Sequence, residues 1–105
     1  MPSTKQYLEF ILQQLSDIDA VSYKPMMGEY ILYFKGKVIG GIYDNRFLVK
    51  PTKSAKRLMP EAVYESPYSG AKDMLLVDKI DDSDFLKELL EALYADLPES
   101  KTRTA

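Results

Sequence analysis

Arg46, Lys50, Lys53, Lys56 and Arg57 gather on a short run of sequence that also carries a helix-start signal, Thr52 or Ser54 just after Pro51. A helix beginning near Thr52 adds free N–H groups and the positive end of its dipole to those cations. Together they would hold an anion such as a phosphate, a nucleotide or a nucleic-acid backbone. Just upstream, Gly40-Gly41 interrupts a strand-like run, and missing side chains there mark a bulge, a bend, or close approach by another backbone or a ligand. A cleft at the glycine pair, edged by tyrosine hydroxyls, would complete a small-molecule or anion site comprising Arg46, Lys50, Lys53, Lys56, Arg57, Gly40 and Gly41. The plainer account of the cations is a solvated edge, because charged residues normally occupy surface positions and the glycine spacing of a phosphate loop is lacking.

Other chemistry is largely excluded by residue type. The chain has no Cys and no His, which removes thiolate nucleophiles, disulfides, Cys-ligated zinc and the commonest general base near neutral pH. Asp17 and Asp19, and the group Asp78, Asp81, Asp82 and Asp84, are candidate hard-cation ligands. The second group lacks the glycine and distal glutamate of a calcium loop and is explained as a strand exit followed by a helix N-terminus. No nucleophile and base stand at a recognisable spacing, and Ser54 beside Lys53 is no such motif. The residues therefore predict a non-enzyme without cofactor or metal.

Tyr23, Tyr30, Tyr33, Phe34 and Tyr43 are spaced as a sheet platform for stacking bases would be, or as core. The net charge of -2 argues against direct DNA binding. Met26 and Met27, beside Gly28, are candidates for an adaptable apolar groove, with plain packing as the alternative.

The elements that would position these residues follow from periodicity. From Met27 to Pro51 the chain reads as three strands joined by tight turns, with Gly36 supplying a positive φ and Asp44-Asn45 tolerating one. Ahead of them, Tyr7, Leu8, Ile11, Leu12 and Leu15 recur at helical spacing over residues 3–17, with Ser3 as N-cap. Val21 to Lys24 alternate as a short strand stopped by Pro25. Past Pro51 come a short helix through Leu58, an irregular loop anchored by Tyr64 and Tyr68, a buried strand over Met74–Val77, and a long helix over 83–97 capped by Asp81 or Asp82.

The predicted order is α-β-β-β-β-α-β-α, a two-layer α+β domain on an antiparallel sheet, because strands joined by such short turns cannot be parallel neighbours. Residues 1–97 form the domain and 98–105 a flexible tail. At 46% hydrophobic and 29% charged, with no membrane-spanning run and no secretory signal after Met1, the sequence reads as a cytoplasmic protein.

The motif Met27, Gly28, Tyr30, Leu32, Tyr33 and Gly36, continued by Lys37 to Asp44, resembles the N-terminal domain of the TfoX (Sxy) competence-regulator family. Phe47 to Pro51 and Pro67 to Lys72 look like that family's short stand-alone members. The resemblance covers about residues 20 to 97. It implies a secretion-chaperone-like fold and a bacterial protein tied to competence and transcription regulation, with no enzymatic activity or cofactor. Full-length members carry a second, helical domain. Two functions are expected to compete: an interaction module whose partner is a protein, including a second copy of itself as a homodimer, and an anion or small-molecule binder built on the basic cluster and the glycine pair.

Overall fold

Three hairpin turns shape the sheet, and each has a positive φ at both central residues. These are Met27 and Gly28 (53° and 86°), Lys35 and Gly36 (52° and 84°), and Asp44 and Asn45 (53° and 57°). That is the signature of the type I′ turn, whose twist matches the strands it joins. The computed structural model describes residues 3–97; the tail expected at 98–105 lies outside them.

The turns link β1 (Val21–Met26), β2 (Glu29–Phe34), β3 (Lys37–Ile42) and β4 (Phe47–Val49). Helix α1 (Lys5–Gln14) precedes them, and α2 (Lys53–Leu58), β5 (Tyr64–Glu65), β6 (Met74–Leu76) and α3 (Ser83–Asp96) follow. All six strands form one antiparallel sheet in the order β1-β2-β3-β4-β6-β5. The expected two-layer α+β architecture is therefore observed, with one strand more than the sequence predicted.

Alternation explains the two layers. Leu32, Phe34, Ile39, Ile42, Phe47, Val49 and Leu75 point to one side, where they are buried with Leu8 and Ile11 of α1, Leu15 just after it, Ala55 of α2, and Leu86, Leu89, Leu90 and Leu93 of α3. Burying each large side chain contributes about 1.5–3 kcal/mol. Ile31, Tyr33, Gly41 and Leu48 face the other way. Opposite the Leu32/Tyr33 step the register shifts, leaving Ile39 as an extra residue on β3. This bulge is the bend expected at the glycine pair.

Several boundaries differ from expectation. Helix α1 starts at Lys5 with Thr4 as N-cap, not Ser3, because Ser3 is drawn to Glu29: its N–H and hydroxyl both donate to Glu29 Oε1, at 3.1 and 2.7 Å. Strand β1 continues through Pro25 to Met26. Thr52 and Asp82 cap α2 and α3, accepting from Ala55 N–H and Phe85 N–H. The C-terminal end of α3 is held by Lys37, whose ammonium donates to the carbonyls of Tyr94 (3.1 Å) and Leu97 (2.7 Å) and lies 4.0 Å from the centre of the Tyr94 ring. Among the described residues no helix is long and apolar enough to cross a membrane.

Candidate functional site

The anion site predicted at the start of α2 is occupied from within the chain. Asp96, in the last turn of α3, accepts Ser54 N–H on Oδ2 at 2.7 Å and Ser54 Oγ–H on Oδ1 at 3.1 Å. The backbone bond from Ser54 is the largest influence holding the Asp96 carboxyl below its ordinary value, aided by the hydroxyls of Ser54 and Thr52 and by the Arg57 charge. The free N–H groups and dipole that would have attracted a phosphate are already answered by a carboxylate. Lys53, Lys56 and Arg57 are exposed and Lys50 half-buried, as on a solvated edge.

Arg46 does not join them. It sits at the opposite end of β4 from Lys50, where its guanidinium pairs with Glu65 and donates to the carbonyls of Tyr43 (3.1 Å) and Ser66 (3.3 Å). It fastens β5 and the following loop to the β3–β4 turn. This is a structural use of the fork-shaped donor set.

The cleft expected at Gly40 and Gly41 is filled. A Cβ on Gly40 would lie 2.1 Å from the Leu48 carbonyl oxygen, and one on Gly41 would meet Tyr30 O at 2.5 Å and Tyr43 Cε2 at 2.7 Å. Neighbouring backbone and the Tyr43 ring take the space, so the pair is explained by close packing. Tyr43 is buried and its ring lies against that of Tyr68, centroids 6.2 Å apart. Burial first, then the neighbouring Tyr68 and Glu29, push the Tyr43 hydroxyl pKa up.

The aromatic platform is divided between the two faces. Tyr23, Tyr30 and Phe34 belong to the helix side and Tyr33 and Tyr43 to the other, with Phe34 in the core. Of the motif residues, Gly28 and Gly36 serve turns, Leu32 is core, Tyr30 and Tyr33 are half-buried, and Met27 stands at a hairpin tip, 96% exposed.

The β1–β2 hairpin is held in place at its tip. Besides Ser3, Glu29 Oε1 accepts Asp44 N–H at 3.1 Å, Ser3 N–H also donates to Gly28 O at 3.1 Å, and Asn45 accepts Thr4 N–H at 2.9 Å and donates its own N–H to Ser3 Oγ at 3.0 Å. The start of the chain, the β1–β2 tip and the β3–β4 turn thus form one hydrogen-bonded corner. It steadies β1, an outer strand with Ser22, Tyr23, Lys24 and Pro25 all exposed. Tyr23 is 44% exposed and packs edge-on against Tyr30 at 5.8 Å. An open strand edge carrying aromatic surface is equipped to pair with another chain.

Sequence patterns did not reveal a groove of about 320 Å³ lined by Leu58, Met59, Pro60, Leu76 and Phe85, with Glu61, Asp78 and Lys79 as its charged lining. These residues come from α2, the chain after it, β6 and the first turn of α3, and no local pattern joins them. Lys79 Nζ lies 5.1 Å from the Phe85 ring centre. Among the described residues no group of three acidic side chains could hold a metal ion.

No family model matches the chain, and no solved structure matches it significantly. It is similar to an uncharacterised 12.7 kDa protein in the trpE 5′ region of Spirochaeta aurantia, at 34% identity over 106 residues, spanning 100% of this chain and 92% of that protein. An outer strand with an exposed tyrosine and a hairpin tip tied to the start of the chain are thus features of a member of the same family as the Spirochaeta aurantia protein.

Proposed function

We propose that this chain is a non-enzymatic interaction module of the TfoX N-terminal type, working by protein contacts in a cytoplasmic, competence- or transcription-related setting. The observation that supports it is the exposed edge of β1, with Tyr23 and the neighbouring Met27 presented to solvent on a fixed hairpin. Native sheets shield such edges with lysine and proline; here Lys24 and Pro25 do so toward the hairpin tip, and the stretch from Val21 to Tyr23 stays open to another strand. Size-exclusion chromatography with light scattering at high micromolar concentration tests it, alongside affinity capture of partners and a titration with double-stranded DNA at about 50 and 200 mM salt, where phosphate contacts differ strongly. A dimer, or a defined protein complex, indifferent to DNA is expected. A strict monomer without a partner overturns the proposal, as does salt-dependent DNA binding lost on changing Lys53 and Arg57.

A second reading, small-molecule binding, is favoured by the groove beside Phe85, whose volume and mixed lining suit a small ligand. A thermal-shift screen of nucleotides, phosphates and small aromatic acids tests it, because a ligand that binds only the folded state raises the transition in proportion to ln(1 + concentration/Kd). Shifts that survive Lys53→Ala/Arg57→Ala and vanish in Phe85→Ala locate the ligand in the groove.

A further inference from the structure

We propose that two copies of this chain pair through β1, antiparallel, about a two-fold axis between their Ser22 residues, so that two six-stranded sheets become one. This rests on the interaction-module proposal and names its partner and register.

The hydrogen-bond pattern of the hairpin determines what the edge offers. The two-residue turn Met27-Gly28 makes Met26 and Glu29 a hydrogen-bonded pair. Antiparallel alternation then turns the backbone groups of Met26, Lys24 and Ser22 toward β2, and those of Pro25, Tyr23 and Val21 toward solvent. At the far end, Lys35 N–H donates to Ala20 O at 2.9 Å, which keeps the same alternation. The free edge therefore presents N–H and C=O from Val21 and Tyr23, and C=O alone from Pro25.

Placing Val21 of one copy opposite Tyr23 of the other uses every one of those donors. Each copy gives two N–H groups and accepts two, forming four bonds across the axis. A slip toward the hairpin tip brings Pro25 opposite a donor-requiring carbonyl and sets its ring against that oxygen. Pro25 thus ends the pairing at this register and discourages longer ones.

The side chains agree with the register. On the helix side Tyr23 lies across from Val21 of the second copy, an aromatic and β-branched pair of the kind that stabilises antiparallel strands. On the other side Ser22 meets Ser22, and Lys24 lies past the end of the second copy's strand, which begins at Val21 after Ala20 in a left-handed conformation (φ 69°). The two Lys24 residues are four positions apart along the strands, about 13 Å at strand rise, so no like charges oppose one another.

The absence of cysteine makes the test direct. Ser22→Cys places two thiols across a non-hydrogen-bonded pair with Cα atoms about 4.5 Å apart, within disulfide reach. Under mild oxidation Ser22→Cys is expected to give a reducible dimer, and Lys24→Cys, on the same face, to stay monomeric on a denaturing gel. Tyr23→Pro removes an outward donor while leaving the ladder to β2, and should abolish the Ser22→Cys cross-link in the double variant with the thermal transition retained. Should that substitution unfold the domain, the contrast between Ser22→Cys and Lys24→Cys still decides.

A wild-type dimer whose Ser22→Cys variant fails to cross-link overturns this pairing and leaves the interaction-module proposal standing. So does a monomer that forms a defined complex with another protein. A monomer with no partner overturns both.

Discussion

The carboxylate of Asp96 closes the N-terminus of α2 through two bonds to Ser54, one from its backbone N–H at 2.7 Å and one from its hydroxyl at 3.1 Å. The end of the last helix is thereby tied to the start of the shortest. The link has a pH signature. Because the folded pKa of Asp96 lies below its unfolded value, its contribution is complete above the ordinary carboxylate range and is lost as pH falls through the folded value. Asp96→Asn should lower the thermal midpoint at pH 7 and flatten the acid side of the stability profile. Calorimetry from pH 7 down to about pH 2.5 checks both; an unchanged acid limb would show that the bond carries no stability.

Gly41 has no room for a side chain, since the Tyr30 carbonyl oxygen lies 2.5 Å from where its Cβ would be. Backbone cannot swing aside as a side-chain tip can. Gly41→Ala should cost about 1–3 kcal/mol, the range for overpacked interiors, and Gly41→Val more. Urea unfolding would show a lower midpoint with an unchanged slope.

Met27 has a φ of 53° at a fully solvent-exposed turn, a conformation that suits Asn in an Asn-Gly pair far better. Met27→Asn removes the left-handed penalty without exposing any core, so stability should rise by about 1 kcal/mol. If the hairpin tip also takes part in protein contact, the same variant should weaken association. Chemical denaturation and light scattering on one sample separate the two effects.

Arg46 pins the segment that carries Tyr68 by its pair with Glu65 and its bonds to Tyr43 and Ser66. Arg46→Ala should free residues 66–72, and trypsin should then cleave after Lys72 several-fold faster while the global thermal midpoint falls less than for Gly41→Ala. Arg46→Lys should behave almost like Arg46→Ala, since an ammonium cannot reproduce the fork.

These residues also show which parts of the molecule local chemistry makes legible. Turn residues with a backbone requirement, Gly36 and Asp44-Asn45, and alternating runs such as Tyr30 to Phe34 announced the meander, and Leu86 to Leu93 announced α3. Strand β5 was hidden because it has two residues between Pro60 and Pro67 and exists only where Tyr64 and Glu65 reach Leu75 and Met74. Continuation of β1 through Pro25 was hidden because a proline stops a strand only when its missing donor faces a neighbour; here it faces outward. The basic cluster misled for a long-range reason. Nothing near Thr52 shows that Asp96, 42 residues beyond Ser54, takes the place left for an anion, or that Tyr43 folds over Gly41. The groove lining was likewise invisible, being drawn from four separate parts of the chain.

The strand order β4-β6-β5 places the later of two neighbouring strands inside the earlier one. The first four strands pair with their sequence neighbours across two-residue turns and can close quickly on their own. Strand β6 has to reach β4 across α2 and β5, so the paired β5 and β6 are expected to dock after the meander has formed. Refolding should accordingly protect the amides of β2 and β3 before those of β6 in pulse-labelled exchange. Until that docking step the outer side of β4, carrying Phe47 and Val49, is open, which makes the β4 flank the point at which an incompletely folded chain is most exposed to aggregation.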